Sequence, residues 1–289
     1  MELRRLSEKD RSQAVILWDT CFGDGEEYIE WAFAHYFPLA EATGIFEEGR
    51  LVSAAYTRRC RLCDCGTEYR VPMIAGVATL PAFRSRGYSS MILKEILKER
   101  REAGDSLAVL NTYIPDFYRR LGFINIAPMD CYCVNEKDVV PGGAELCDKP
   151  DLLFLQACYR EFCSQFSGYL TRDERVFSLR IQDCLGFGGK LFVSENGYMI
   201  LDPKTGTAIE TVCPGGKDLV ALTAAAVRFA GKGITVKAPV QLDWSDVLGQ
   251  PEKTESGAMA CILEEKAKKF YLETENALIK HSWCILEEY

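Results

Sequence analysis

Hydrophobic positions change their spacing repeatedly along this chain, and the changes divide it into elements. Ala14, Val15, Leu17 and Trp18 share one side of a helical projection, which predicts a helix over residues 8–20. A second helix is expected over 26–37, after a break at Gly23 and Gly25. Ile45 and Phe46, then residues 51–56, read as strands joined by the turn at Glu48-Gly49. Alternation weakens over 58–68 and returns over 71–79. The period then lengthens. Ile92, Leu93, Ile96 and Leu97 form an apolar stripe while Lys94, Glu95, Lys98 and Glu99 cover the other side. This predicts a helix over 87–103 that stops before Gly104. A short strand over 107–110 follows, Pro115 opens a brief aromatic helix, and Gly122 ends it before Phe123-Ile124. Strand, loop, helix and strand over 71–110 make a βαβ-like unit, whose helical crossover favours parallel strands.

Both periods are interrupted at Pro141-Gly142-Gly143, which places a boundary within 135–150. Beyond it, Leu153, Leu155, Ala157, Cys158 and Phe162 predict a helix over 152–166. Strands are expected over 190–193, 197–201 and 206–212, joined by turns at Asn196-Gly197 and Lys204-Thr205-Gly206. A helix over 219–229 and a strand over 234–236 complete this second unit. A polar link over 251–256 leaves a tail too small for an independent core. The expected fold class is α/β (α+β by some schemes), a mixed central sheet flanked by helices. It is divided into units at 1–135 and 150–250 and a C-terminal tail at 251–289.

The 289 residues, 48% hydrophobic and 26% charged, suffice for one large or two modest cores. The 34 basic and 42 acidic side chains give a formal charge of −8. They alternate along the chain, with no basic half and no aromatic-basic groove, so nucleic acid is not an expected partner. No stretch approaches the roughly 20 consecutive apolar residues that cross a bilayer. The start, MELRRLSEKDRSQ, lacks the apolar segment of a secretory signal. Thirteen cysteines are too sparse in a chain of this length for a disulfide scaffold, and point to free thiols in a reducing cytoplasm. Cys60, Cys63 and Cys65, with Cys131 and Cys133, raise one zinc hypothesis. Residues three apart on extended chain face opposite ways, however, and His35 and His281 are the only histidines, so ordinary thiols and no metal are expected.

Residues 76–97, GVATLPAFRSRGYSSMILKEIL, carry the most chemistry. Pro81 does not suit a central ladder position, so the chain leaves the sheet after Val77, Ala78 and Thr79. Arg84-Ser85-Arg86-Gly87-Tyr88-Ser89-Ser90 then leads into the amphipathic helix. Backbone amides at such a helix start can converge on phosphate oxygens, Gly87 allows close approach, and Arg84 and Arg86 add positive charge. The segment is not a nucleoside-triphosphate loop, nor does it have the repeated glycines of a dinucleotide site. Asn111 follows a strand, and Tyr118 lies in the same run, NTYIPDFYRRLGF. A proline-started helix can return the tyrosine hydroxyl toward the strand end, where a neutral phenol is suited to protonating a departing thiolate. An isolated tyrosine would instead cap the core beside Phe117 and Phe123.

With these residues in view, the first unit resembles the Gcn5-related N-acetyltransferase superfamily, most strongly from Gly76 to Phe123. Residues 84–89 are similar to its pyrophosphate loop, with Ser89 where glycine or alanine is usual. The Asn111-to-Tyr118 spacing and FYRRLGF are similar to its later motif. The resemblance implies an acyl-CoA N-acyltransferase fold with acetyl-CoA as cofactor. Backbone groups of Val77, Ala78 and Thr79 would orient the thioester and pantetheine arm. Backbone amides of Ser85, Arg86, Gly87, Tyr88, Ser89 and Ser90 would hold pyrophosphate beside Arg84. Asn111 would offer its amide to the ligand, and Tyr118 would be the general acid. Direct attack by a primary amine, on a small molecule or a peptide, is implied, with no metal.

FSGYLTRDERVFSLRIQD and the strands after it are similar to the degenerate second acetyltransferase-like domain of the enhanced-intracellular-survival branch. The usual sterol-carrier-like third domain of that branch is longer than the remaining tail. Its members often place the terminal carboxylate near the active centre, which makes Tyr289 a candidate. Glu26, Glu27 and Glu30 either border the acceptor cleft or form a solvated acidic face. His281, Trp283 and Tyr289 suit packing on the second unit or on a neighbouring subunit, which leaves a homo-oligomer open. The competing expectations are a noncatalytic acyl-CoA-responsive interaction protein and a purely structural two-domain protein.

Overall fold

The computed structural model describes residues 1–136 and 142–264, together with the short strand Trp283–Cys284. His281 and Tyr289 lie outside the described residues. The chain opens with β1 (Glu2–Arg5), α1 (Arg11–Phe22), α2 (Glu26–His35) and β2 (Thr43–Glu47). A long hairpin follows, β3 (Arg50–Asp64) and β4 (Thr67–Thr79), and then α3 (Tyr88–Glu102), β5 (Leu107–Asn111), α4 (Pro115–Arg119) and β6 (Ile124–Val134). The next run is β7 (Glu145–Leu146), α5 (Leu152–Ser164), β8 (Gly168–Leu170) and α6 (Glu174–Gly186). After it come β9 (Lys190–Val193), β10 (Tyr198–Asp202), β11 (Thr207–Val212), α7 (Gly216–Ala230) and β12 (Ile234–Pro239). The series ends with α8 (Ser245–Leu248), β13 (Lys253–Ile262) and β14 (Trp283–Cys284).

The strands join in one mixed sheet, in the order β1-β2-β3-β4-β5-β13-β6-β12-β11-β10-β9-β7. Strand β8 adds to the outer end of β3, and β14 pairs with β8. As the helical crossover predicts, β4 and β5 run parallel, in register at Met73 and Val109. Helix α3 lays its stripe of Ile92, Leu93, Ile96 and Leu97 into the core. Each such side chain contributes roughly 1.5–3 kcal/mol relative to exposure. A second core gathers α5, α6 and α7 on β9–β12.

Three elements depart from the sequence expectation, each for a physical reason. Residues 58–68, where alternation weakens, are continuous strand turning at Cys65 and Gly66, both with positive φ. Charged side chains at Arg59 and Arg61 blur the pattern there, and the ladder with β4 holds the strand. Helix α6 buries Arg180 and Asp183 beside Phe177, Ile181 and Cys184, so its inward face does not read as apolar. Residues 251–256, expected as a polar link, lead into β13, which lies between β5 and β6 and is antiparallel to both. The strand is polar at first, through Lys253 and Glu255, and only its second half, residues 258–261, is buried.

Candidate active site

The site begins with an irregularity in β4. Ala54 faces Ala78 and Tyr56 faces Ala75, so Ala55 alone opposes both Gly76 and Val77. Such a bulge bends its strand and re-aims the groups on it. Gly76 has φ +56, and a Cβ there would lie 2.6 Å from the Trp18 ring and 2.8 Å from the Tyr56 ring. Those rings are fixed in an aromatic cluster, with Trp18 and Tyr56 centroids 4.9 Å apart and Tyr56 stacked on Phe33 at 5.2 Å. Backbone conformation and space both require glycine at this position.

Strands β4 and β5 share a single register pair, and beyond it their ends line a cavity of about 850 Å³. One wall comprises residues 73–77 of β4. The next comprises Asn111 and the loop that runs through Pro115 to Tyr118 and Arg119. The far side comes from residues 208–211 of β11, Lys237 of β12 and residues 254–257 of β13. The volume is that of a small-molecule site.

Tyr118 is 6% exposed and packs edge-on against Phe117 and Phe123, with centroids 4.9 and 5.8 Å away. Burial pushes its phenol up to about 12, opposed by a hydrogen bond with the Thr112 side chain. The group is therefore a neutral donor throughout the physiological range. Tyr118 both packs in the core and lines the cavity.

The end of β4 is tied to the start of α3 by a chain of hydroxyls. Ser53 Oγ donates to the Ala78 carbonyl at 2.8 Å and lies 2.8 Å from Thr79 Oγ1, which lies 2.8 Å from Ser89 Oγ. With the Ser53 proton committed to Ala78, Thr79 must donate to Ser53 and Ser89 to Thr79. Ser89 thus pins the helix start to the strand end. Between them, Arg84 Nε donates to the Thr79 carbonyl at 3.2 Å. Ser85 has φ +63 and Gly87 φ +80, and no side chain caps α3. Two left-handed residues flank Arg86 just before α3, a backbone pattern of the kind that can form a concave set of amides. A Cβ at Gly87 would meet nothing within 4 Å, so conformation and not crowding calls for glycine there.

Arg86 makes three contacts of its own. Its guanidinium lies 3.4 Å from the Glu47 carboxylate, donates to the Ala82 carbonyl at 3.3 Å and sits 4.8 Å over the Phe83 ring. Tyr88 donates its hydroxyl to the same carboxylate. The charge of Arg86 is therefore shared with Glu47. Glu26, Glu27 and Glu30 are not among the residues lining the cavity, and Glu30 pairs with Arg11. Residues 84–90 are not among the lining residues either; they continue from the strand whose bulge forms one wall.

The acidic residues that line the cavity are Glu210 and Glu255. Glu210 is fully enclosed. It accepts from Arg172 at 2.9 and 3.0 Å, from Arg180 at 3.3 Å and from Tyr198 at 2.6 Å. Burial alone would raise its pKa, but the two arginines and the tyrosine hold it below the ordinary value. Glu255 pairs with Lys253 at 2.7 Å and Lys237 at 3.2 Å. Among the described residues, no group of three or more His, Cys, Asp or Glu side chains is arranged to hold a metal ion. Nor is any helix among them long and apolar enough to cross a membrane. Sequence reasoning missed Ser53, Phe22, Lys237 and Glu255, which carry no local motif and enter the site through pairing and packing between distant segments.

Residues 2–125 match the family described as acetyltransferase (GNAT) domain. Solved structures agree along most of the chain. A probable N-acyltransferase from Enterococcus faecalis V583 is 20% identical with a TM-score of 0.72, covering 91% of this chain and 73% of its own. Eis1 from Mycobacterium abscessus is 15% identical with a TM-score of 0.67, covering 92% and 75%. A GCN5-related N-acetyltransferase from Kribbella flavida is 17% identical with a TM-score of 0.69, covering 90% and 70%. No curated protein matches the sequence. The mixed sheet flanked by helices, with its bulged β4 opening beside β5, is the acetyltransferase fold of the GNAT superfamily.

Proposed function

We propose that the protein is an acetyl-CoA-dependent N-acetyltransferase acting on a primary amine of a small molecule or peptide. One observation carries the reading: a single cavity joins the Gly76–Val77 bulge to the buried neutral phenol of Tyr118. The same strand runs on into an uncapped helix start with two left-handed residues. These residues fit the cofactor's chemistry, because a doubly negative pyrophosphate suits converging amides at the positive end of a helix.

In this reading Ser85, Arg86, Gly87, Tyr88, Ser89 and Ser90 hold the pyrophosphate through backbone amides, beside the Arg84 side chain. Backbone groups of Val77, Ala78 and Thr79 align the pantetheine arm, and Asn111 offers its side-chain amide to the ligand. Acetyl-CoA supplies an acetyl thioester that the amine attacks directly, with the sulfur leaving as a thiol. In the same reading the Val77 amide donates to the acyl oxygen as negative charge develops on it. Tyr118 holds the proton that meets the sulfur, and regains one from the attacking nitrogen. The phenol thus ends as it began.

Residues 1–135 are proposed as the acetyl-CoA-binding unit, with β13 completing its sheet. Residues 150–250 are proposed as a second, acetyltransferase-like unit that walls the acceptor side, as in the enhanced-intracellular-survival branch. A reducing cytoplasm fits the cysteine content of the chain.

The test is incubation with acetyl-CoA and a broad amine panel. Thiol release together with an added acetyl mass supports transfer, and Arg84→Glu should abolish both by weakening cofactor binding. Acetyl-CoA binding that alters assembly or partner binding, with no amine modified, would favour the noncatalytic responsive protein instead.

A further inference from the structure

Three large hydrophobic side chains of the cavity wall are exposed: Phe22 at 48%, Tyr113 at 86% and Ile114 at 61%. They come from two separate places, the C-terminal end of α1 and the loop between β5 and α4. Single exposed hydrophobics are ordinary, whereas several on the wall of one cavity mark surface that a ligand covers. They lie on the cavity that holds Tyr118, which Val77 and Asn111 also line and the proposed pyrophosphate run, residues 84–90, does not.

Charge points the same way. Of the two lining carboxylates, Glu210 is enclosed by two arginines and a tyrosine, and Glu255 is held by two lysines. A molecule with several ammonium groups would have to displace those cations to find a counter-charge among the residues lining the cavity. An amine must also be neutral to attack. An apolar surround lowers an ammonium's pKa by disfavouring its charge, and a molecule with one amine can then enter as the free base.

We infer that the acceptor is a monoamine with an apolar body, aromatic or branched-alkyl, which packs on Phe22, Tyr113 and Ile114 while its nitrogen faces Tyr118. The inference deepens the acetyltransferase reading and rests on it for the identity of the reacting group.

Two measurements on the full chain test it. The first is calorimetric titration of the CoA-saturated protein with phenethylamine, ethanolamine and spermidine. The second is the rate of thiol release with acetyl-CoA and the same three amines. Phenethylamine should bind about tenfold tighter, and react with about tenfold higher kcat/KM, than either other amine, as expected for apolar groups gained or lost in a pocket. The double variant Tyr113→Ser with Ile114→Ser should erase most of both advantages, with acetyl-CoA affinity serving as the check that the protein is folded.

A preference for spermidine, or a phenethylamine advantage that survives the double variant, overturns the assignment. So does a variant whose defect appears only with hexanoyl-CoA, since the rim would then serve the acyl chain. Phenethylamine binding that follows the expected pattern with no amine acetylated leaves the rim assigned and refutes transfer. Acetylation without any apolar preference refutes the rim and leaves transfer standing.

Discussion

Replacing Tyr118 with phenylalanine removes one oxygen from a packed ring and leaves the surrounding aromatic contacts with Phe117 and Phe123 in place. The phenol is raised to about 12, whereas a coenzyme thiol resembles a cysteine at about 8.5. That gap of about 3.5 units corresponds to about 5 kcal/mol against handing a full proton to a free thiolate. Tyr118 must therefore donate as a hydrogen bond while it recovers a proton from the incoming nitrogen. Its contribution should lie at the lower end of general-acid effects, a fall in kcat of about 10², with acetyl-CoA affinity unchanged.

The same value sets the pH profile. A phenol at its ordinary value of about 10 would be about a quarter ionised at pH 9.5, but one at about 12 would be ionised by well under 1%. Because the folded value lies above the unfolded one, the protonated form persists through pH 10 and is lost only as pH rises through about 12. Steady-state rates of wild type and variant, measured from pH 6 to 9.5, should rise with amine deprotonation and show no alkaline fall. A decrease in kcat of less than threefold in Tyr118→Phe, or a wild-type limb falling between pH 8 and 9.5, would refute the assignment.

Other substitutions test the frame around the site. Gly76→Ala introduces a Cβ against Trp18 at a positive φ. It should cost at least about 2 kcal/mol in urea denaturation and lower turnover by shifting Val77. Glu210→Gln leaves Arg172 and Arg180 buried without their carboxylate and should cost about 3–5 kcal/mol, read from thermal or urea melts. The wild-type carboxyl is held below its ordinary 4.5. Its stabilisation should therefore be intact at neutral pH and lost as pH falls through the folded value, a feature absent from the variant. Burial raises the thiols of Cys184 and Cys213 to about 12. Iodoacetamide at pH 8 should therefore modify the exposed Cys65 and Cys133 in native protein and reach Cys184 and Cys213 only on unfolding, as mapped by mass spectrometry.

What the sequence revealed depended on how local each feature is. Helix α3 was legible because four apolar residues at helical spacing face one core. The turn at Gly87 and the Asn111–Tyr118 run were legible because their chemistry lies within a few consecutive residues. Helix α6 was not, since its buried Arg180 pairs with Glu210 on a later strand as well as with Asp183 on its own helix. Strand β13 was hidden for a similar reason: Lys253 and Glu255 look like linker, and only their place beside β6 makes them strand. The cavity wall was the least legible part. Phe22 at the end of α1, Lys237 on β12 and Glu255 on β13 line it together, and no spacing rule connects them.

The central claim is that the Ser85–Ser90 amides and the Tyr118 hydroxyl serve one ligand, and a crystal structure with acetyl-CoA tests it most directly. The account predicts pyrophosphate oxygens on those amides and the thioester sulfur within hydrogen-bond reach of the Tyr118 hydroxyl. Pyrophosphate bound elsewhere, or a sulfur on the far side of β4 from Tyr118, would contradict it.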